Sequence, residues 1–573
     1  MNIDEYIQEE VRLTQLKKFE DGMVKYVCAF PDYYIYGLPN IGMQVIYREC
    51  ALHPGVAPDR YYLPDEDCED KDITWERKFK IKECDFLSFT ISYEGSYVNI
   101  LKELELCNIP LRACDRNDDY PIIIAGGPIV MYNCKPIEKF FDVFVLGEGE
   151  QVIHNILDVY IKNKNMGKAV VLKELSKIRG VYVPSIKENT IVYQVPVVPI
   201  DKYPAHSEFM TKRCVYGEKT FTIEIRRGCN QKCRFCYMGT RLRPARMISE
   251  ETFKKLVDEG LKHCKIIKCF YEGVDADVIQ RYLEYIVKKG GLVRIGSQRL
   301  EKVSDRIIKM VAESGQRKLV IAPETSEKLR RVIGKQAIKN DKIIELIKKA
   351  MLNGIRDIGL YFIIGIPSET NEDLDEICNL ILRVRKIMNE NGDINGCLEI
   401  GINPLFPKPM TALQFSKASS IDEINKKFSY LKSRLSNNCS LVISNDVVDE
   451  KVERRTINEK DISIIKIETT IGSDIVFTQP ILSRGGEEIG DVLEYVYRNG
   501  DTYENWTKAL YLYNINVNNY FKQLDTDEEF VWDFQKCYVS KGHLIREYMF
   551  SKASLSSSQC SAKCEICTDR CNQ

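Results

Sequence analysis

Hydrophobic and polar positions alternate along this chain in two periods, and the switching between period two and period 3.6 outlines two α/β blocks. In the first block, apolar runs at residues 24–30, 85–91, 121–125 and 142–146 read as strands. Positions 41–50, 98–106 and the stretch from Glu150 repeat at helical spacing. Alternating strands and helices predict an open doubly wound sheet, with its ligand crevice at the carboxyl ends of the strands. Those ends carry Asp32, Gly126-Gly127 and Gly147-Glu148-Gly149-Glu150, where glycine admits a large ligand. The second block starts with a strand at 220–225, broken by Arg226-Arg227-Gly228. Strand-like runs follow at 266–270, 292–295, 319–322, 359–365 and 398–402, with helical stretches such as 250–263, 275–289 and 341–353. This pattern predicts a parallel sheet closed, or partly closed, into a barrel with helices outside. From about residue 436 the pattern changes to short strands, a polar, aromatic helical region at 494–521 and a flexible lead at 554–558. The expected division is therefore 1–190, 191–435 and 436–573, an α/β chain with a small α+β C-terminal region.

Composition narrows the function classes. The 573 residues carry 82 basic and 83 acidic side chains, a net charge of −1, and that balance gives no strong signal for nucleic acid or a membrane surface. The first ten residues are acidic and lack an apolar run, and no stretch approaches the roughly 20 apolar residues of a membrane span. A cytoplasmic, soluble protein is expected.

Twenty-one cysteines in a cytoplasmic chain point to metal rather than disulfides where they cluster. Seven fall in two clusters. Cys229, Cys233 and Cys236 stand at spacings of four and three on one loop, so three thiolates can reach three corners of a cubane and leave the fourth iron without a protein ligand. A zinc loop with a distant fourth ligand is the alternative. Cys560, Cys564, Cys567 and Cys571 form a complete set of four at the end of the chain, for zinc or for a second iron–sulfur centre. Scattered cysteines such as Cys28, Cys84 and Cys269 lie in apolar runs and read as ordinary buried thiols.

The CxxxCxxC loop with Phe235 before its last cysteine resembles the radical S-adenosylmethionine (radical SAM) superfamily. The resemblance implies a 4Fe–4S cluster whose open iron binds S-adenosylmethionine. It places Phe235 and Tyr237 at the cofactor, along with Ser297 at a strand end, Glu324 in Ala322-Pro323-Glu324-Thr325 and Gly365 in the segment 360–370. Glu369 reads equally well as a helix-starting cap. The glycine-glycine-glutamate segment common in the superfamily is missing, and Glu272-Gly273 stands in its place. Residues 24–157 resemble the cobalamin-binding domain found ahead of many such barrels. That likeness assigns Asp32, Gly37, Thr90, Gly126, Gly127, Gly147 and Glu148 to a cobalamin pocket, with Tyr34 where the family often has a cobalt-ligating histidine. Phenol is a poor cobalt ligand near neutral pH. Two readings stay open: cobalamin bound without histidine, or a domain that keeps the fold without the ligand. Segments 30–32, 360–370, 404–411 and 482–486, with Trp532-Asp533 and the tail cysteines, recur in order in a family of B12-binding-domain-containing radical SAM proteins.

The resemblance implies a radical SAM enzyme that methylates an unactivated centre with the help of cobalamin, and an electron donor such as flavodoxin or ferredoxin. The alternatives are a cobalamin-independent modification, for instance methylthiolation of a nucleic acid or peptide, and a non-catalytic metal-bound scaffold. The substrate is not named by the sequence.

Overall fold

The computed structural model describes residues 3–188, 191–195, 198–297, 299, 302–391, 396–444, 464–472 and 474–557. Six strands build the N-terminal sheet: β1 (Val24–Phe30), β2 (Val56–Tyr62), β3 (Phe86–Thr90), β4 (Ile122–Gly126), β5 (Val143–Val145) and β6 (Val181–Tyr182). Their order is β2-β1-β3-β4-β5-β6, parallel except for the last pair. The chain leaves β1 toward one side and returns to β3 on the other, so a switch point opens between them. Helices α1 (Ile41–Leu52) and α3 (Gly149–Asn163) cover one face of the sheet through Met43, Tyr47, Val152 and Ile156. Helix α2 (Tyr97–Leu106) covers the other.

Strand β2 is absent from the hydrophobic pattern because it carries Pro58, Asp59 and Arg60, yet it is buried along its whole length. Two facts reconcile this. It is an edge strand, where proline is tolerated. Its arginine is also fully paired: Arg60 donates to Glu76 at 2.6 Å and to Glu10 at 2.8 Å, which is what burial of a charge requires.

The barrel strands are β7 (Thr220–Glu224), β8 (Ile266–Phe270), β9 (Leu292–Ile295), β10 (Lys318–Glu324), β11 (Asp357–Ile364) and β12 (Leu398–Pro404). All pairings among them are parallel. They fall into two sheets, β7-β8-β9 and one beginning β10-β11-β12. Between β9 and β10 the Gln316 side chain does the joining: it accepts from Ile295 N at 2.9 Å and donates to Ile295 O at 3.2 Å and Lys318 O at 2.9 Å. The outer helices are α4 (Glu250–Gly260), α5 (Ala276–Lys288), α6 (Asp305–Glu313), α7 (Asn340–Leu352), α8 (Asn371–Glu390) and α9 (Ile421–Ser436). The expected boundary at 435 cuts through this unit. Strands β13 (Ser440–Ser444) and β14 (Ile464–Glu468) extend the second sheet, β14 pairing with β12 and β13 with β14.

The C-terminal region is not a separate body. Helices α10 (Ile475–Arg484), α11 (Ile489–Asn499) and α12 (Tyr503–Leu512) return to the N-terminal sheet, where Ile481, Val492, Leu493 and Trp506 share one core with Leu87, Phe89 and Leu101. The helical region expected at 494–521 holds the end of α11, α12 and a short helix at Asn518–Phe521. Helix α13 (Lys541–Lys552) packs Leu544 and Tyr548 with Ile333, Leu413 and Phe415, against the barrel. No helix among the described residues is long and apolar enough to cross a membrane.

Candidate active site

The cysteine loop leaves β7 through a closed neck, in which Arg226 and Arg227 pair with Met247 and Arg246. Gly228 is required there. Its φ is +78°, and a Cβ would sit 2.0 Å from Leu242 O. Inside the loop Gln231 N donates to Cys229 Sγ at 3.4 Å, Cys236 N donates to Cys233 O at 3.1 Å and Arg299 Nη1 reaches Cys233 Sγ at 3.5 Å. Burial pushes the Cys233 thiol up, against the pull of Lys335 and Arg299. Burial and the neighbouring Cys233 push Cys236 up to about 12.

These thiols fit an iron–sulfur cluster. Cys229 is buried and Cys233 and Cys236 are half-buried; three thiolates on one such loop are costly without a metal's positive charge, and metal binding releases their protons. Among the described residues no three His, Cys, Asp or Glu side chains converge on one point as a single ion requires. A cubane asks only that the thiols surround a shared volume, because each iron takes one of them.

A cavity of about 760 Å³ joins the loop to the N-terminal sheet. On the sheet side it is lined by Thr90, Gly126, Gly127 and Gly147, with Asn40 at the start of α1 and Tyr36 from the short helical turn before it. A deep apolar branch runs under the sheet between α1 and α3, past Val45, Ile124, Ile153 and Ile156. On the barrel side it meets Glu224, Arg226, Phe270 and Glu272 at the ends of β7 and β8, and Tyr237 and Met238 of the cysteine loop. Gly127 has φ +105° and lies against Ile91 O. At Gly126 a Cβ would meet nothing within 4 Å. The Nε of Arg226 is buried without a hydrogen-bond partner, an orphaned donor on this wall.

The two sides are locked together by buried charge. Arg227 bonds Glu150 at 2.6 Å and Glu224 at 2.7 Å, and Arg246 bonds Glu148. Burial alone would raise the Glu148 carboxyl, but Arg246 and Arg227 outweigh it and hold it below the ordinary range. Glu148 therefore lines the cavity with its carboxylate already engaged, accepting also from Val198 N at 2.9 Å.

Asp32, Tyr34 and Gly37 do not line the cavity. After β1 the chain turns into a short helix, Tyr34–Gly37, that carries Tyr34 inward. Its ring stacks on Trp75 at 4.6 Å and its hydroxyl donates to Glu10 at 2.8 Å. A Cβ on Gly37 would meet the Tyr62 ring at 2.6 Å, and the Asp32 carboxylate accepts from Tyr33 N at 2.7 Å.

Of the five residues expected at S-adenosylmethionine, only Tyr237 reaches the cavity. Phe235 packs against the apolar core behind the loop. Glu324, at φ +66°, holds the buried Lys335 at 2.6 Å. Ser297 is exposed just past β9. Gly365 has φ +78° and faces Ser419 and Ile424 of its own chain, so its close approach is made by protein. Glu369 accepts from Gly365 N at 2.8 Å and pairs with Lys427, while Thr370 and Asp373 form the capping box of α8. The sequence reading missed Lys335 and the cavity residues Tyr36 and Asn40. Gly334 was the only local signal for Lys335. The four tail cysteines lie outside the described residues.

A parallel barrel whose cysteine loop faces a doubly wound domain across one cavity defines a class, a two-domain α/β enzyme with its site at the carboxyl rim. Residues 223–381 match the model of the radical SAM superfamily, and residues 42–184 match the model of the N-terminal region of radical SAM proteins, together more than half of the chain. The chain belongs to the radical SAM superfamily, whose enzymes use a 4Fe–4S cluster and S-adenosylmethionine. An uncharacterized protein of Methanocaldococcus jannaschii is 29% identical over 422 residues, 72% of this chain and 84% of that protein. The ribosomal protein uS12 methylthiotransferase RimO of Colwellia psychrerythraea is 25% identical over 181 residues, 28% of this chain and 40% of that one. Among solved structures, the radical S-adenosylmethionine methyltransferase TsrM of Kitasatospora setae, with cobalamin and a 4Fe–4S cluster bound, is 12% identical with TM-score 0.45, covering 69% of this chain and 78% of that one. The cobalamin-dependent enzyme OxsB, with aqua-cobalamin bound, is 16% identical with TM-score 0.45, covering 63% of this chain. The matched part spans 52% of OxsB.

Proposed function

We propose that this chain is a cobalamin-dependent radical SAM enzyme that transfers a methyl group to an unactivated centre. The observation that carries the reading is the single cavity running from the switch point of the N-terminal sheet to the cysteine loop. In this reading Cys229, Cys233 and Cys236 hold the cluster. Thr90, Gly126, Gly127 and Gly147 cradle cobalamin, and the apolar branch between α1 and α3 takes its tail. When bound, the two groups supply an electron for cleaving S-adenosylmethionine and a carrier for methyl. Among the described residues lining the cavity there is no histidine, so in this reading a bound cobalamin would be held by the glycine-lined wall rather than by a histidine. Arg227 and Arg246, tied to Glu150 and Glu148, keep the two walls at fixed separation. Tyr237 and Met238, which follow the last of the three cysteines, form the wall of the cavity nearest the cluster. Cys560, Cys564, Cys567 and Cys571 hold a second iron–sulfur centre, and an external donor of flavodoxin or ferredoxin type supplies electrons.

Anaerobic reconstitution tests this. The protein should take up cobalamin with no nitrogen hyperfine splitting in the electron paramagnetic resonance of its Co(II) form. Reduced protein should turn S-adenosylmethionine into 5′-deoxyadenosine and, with substrate, S-adenosylhomocysteine. Gly126→Phe grows into open space, so it should abolish cobalamin uptake and keep the iron content. Uptake unchanged in that variant would sink the cobalamin assignment, and normal cleavage by Cys233→Ala would sink the cluster assignment.

A further inference from the structure

Lys335 is a buried cation pressed against the back of the cysteine loop. It is 7% exposed, and its Nζ donates to Ala322 O at 3.1 Å and to Glu324 at 2.6 Å. Its position is fixed by the turn that precedes it. Gly334 has φ +78°, and any Cβ there would sit 2.1 Å from Lys232 O. One residue earlier, Ile333 O accepts from Arg234 N at 2.9 Å. Residues 333–335 are therefore packed onto residues 232–234, with the Cα of Cys233 3.5 Å from where a Cβ on Gly334 would sit, so Lys335 follows directly on the Cys233 backbone. From the opposite side Arg299 Nη1 reaches Cys233 Sγ at 3.5 Å.

Burying a lysine–glutamate pair gives little stability, because desolvation offsets the attraction. Local rules broken without a stability gain point to function. Each ligand thiolate brings a negative charge, and reduction of a cluster adds one more. A nearby fixed cation thus favours the reduced form. Net charge and hydrogen bonds to sulfur are two of the levers that set cluster potentials. We infer that Lys335, with Arg299, is a positioning charge at Cys233 that raises the reduction potential of the cluster, and that Glu324 trims the effect. This rests on the three-cysteine cluster proposed above.

The test is a redox titration of the reconstituted full-length protein, followed by electron paramagnetic resonance without S-adenosylmethionine, so that cofactor binding cannot contribute. The relevant signal is the one lost in Cys233→Ala. Lys335→Met should lower the midpoint enough to cut the reduced-to-oxidised ratio about tenfold at a fixed potential, about 59 mV for one electron. Lys335→Arg should keep the parent value. Glu324→Gln leaves the lysine uncompensated and should shift the midpoint upward, and this variant with Arg299→Met carries the test if Lys335→Met fails to assemble its cluster. An unchanged midpoint in Lys335→Met overturns the inference, as does a downward shift in Glu324→Gln. Weaker S-adenosylmethionine binding at an unchanged midpoint overturns it too, making Lys335 a cofactor anchor. A signal that persists in Cys233→Ala instead removes the cluster assignment itself.

Discussion

Single residues divide by whether their role is set locally or by the fold. Cys229, Cys233 and Cys236 were legible because a ligand set on one loop needs no tertiary information. Tyr34 was misplaced because motif spacing is silent on direction. A phenol that finds Glu10 and stacks on Trp75 turns inward whatever a relative has there. Lys335 was invisible because only the turn at Gly334 brings it to the thiols. Histidines give a prediction at this scale. Nε2 of His206 accepts from Arg48 at 2.9 Å and Nδ1 donates to Ser207 O at 3.1 Å, an arrangement open only to the neutral ring. Burial first, then Arg48, lowers its pKa to about 4, and burial lowers His543 to about 4 as well. Unfolded histidine titrates near 6.5, so between about pH 6.5 and 4 the unfolded chain binds more protons than the folded one. Stability is full above that window and falls through it as pH drops, by about 3 kcal/mol for each ring at its lower end. Melting temperature against pH should fall across the window, and His206→Gln should flatten the slope. An identical slope in the variant would mean that the ring titrates alike in the folded and unfolded chain.

At the level of elements, strands with continuous apolar runs were read to within two residues at each end. β1, β8 and β9 were read with their observed bounds. β2 was lost because its charges are paired by side chains brought from elsewhere. The barrel's extension by β13 and β14 was read as a separate region because short strands carry no sign of which sheet they join. The seam between β9 and β10 was equally unreadable, since a side chain replaces a backbone ladder there. That seam sets a cost. Gln316→Ala leaves the backbone N–H and C=O of Ile295 without these partners, at about 1–3 kcal/mol for each buried group left unmade. The variant should melt several degrees lower with its fold retained, and a melting temperature within one degree of the parent would show that water replaces the glutamine.

For the whole molecule, the doubly wound domain and the barrel were both legible in strand–helix alternation. Their joining was not, because the Glu148–Arg246 and Glu150–Arg227 locks pair residues far apart in sequence. The end of the described chain also binds the cysteine loop from behind. Arg234 of that loop donates to Leu555 O at 2.8 Å and Ser557 Oγ at 2.9 Å, and meets Glu547 at 3.2 Å. A chain ending at Ser557 keeps this strap and loses the four tail cysteines. Its iron should fall from about eight to about four per chain, the content of two cubanes and then one, with S-adenosylmethionine cleavage still possible. Unchanged iron with loss of zinc would show that the tail is a zinc knot.

The return of α10, α11 and α12 to the first sheet has a consequence for synthesis. That sheet is complete once β6 has been made, but the apolar surface around α2 that Ile481, Val492 and Trp506 later join waits until the barrel has been translated. At roughly 5–20 residues per second this wait lasts tens of seconds, during which an apolar surface stands open on the ribosome. Exposed apolar surface of this kind is prone to aggregate and is what chaperones bind. Rare-codon pauses inside the barrel would lengthen the exposure and lower the yield of soluble protein.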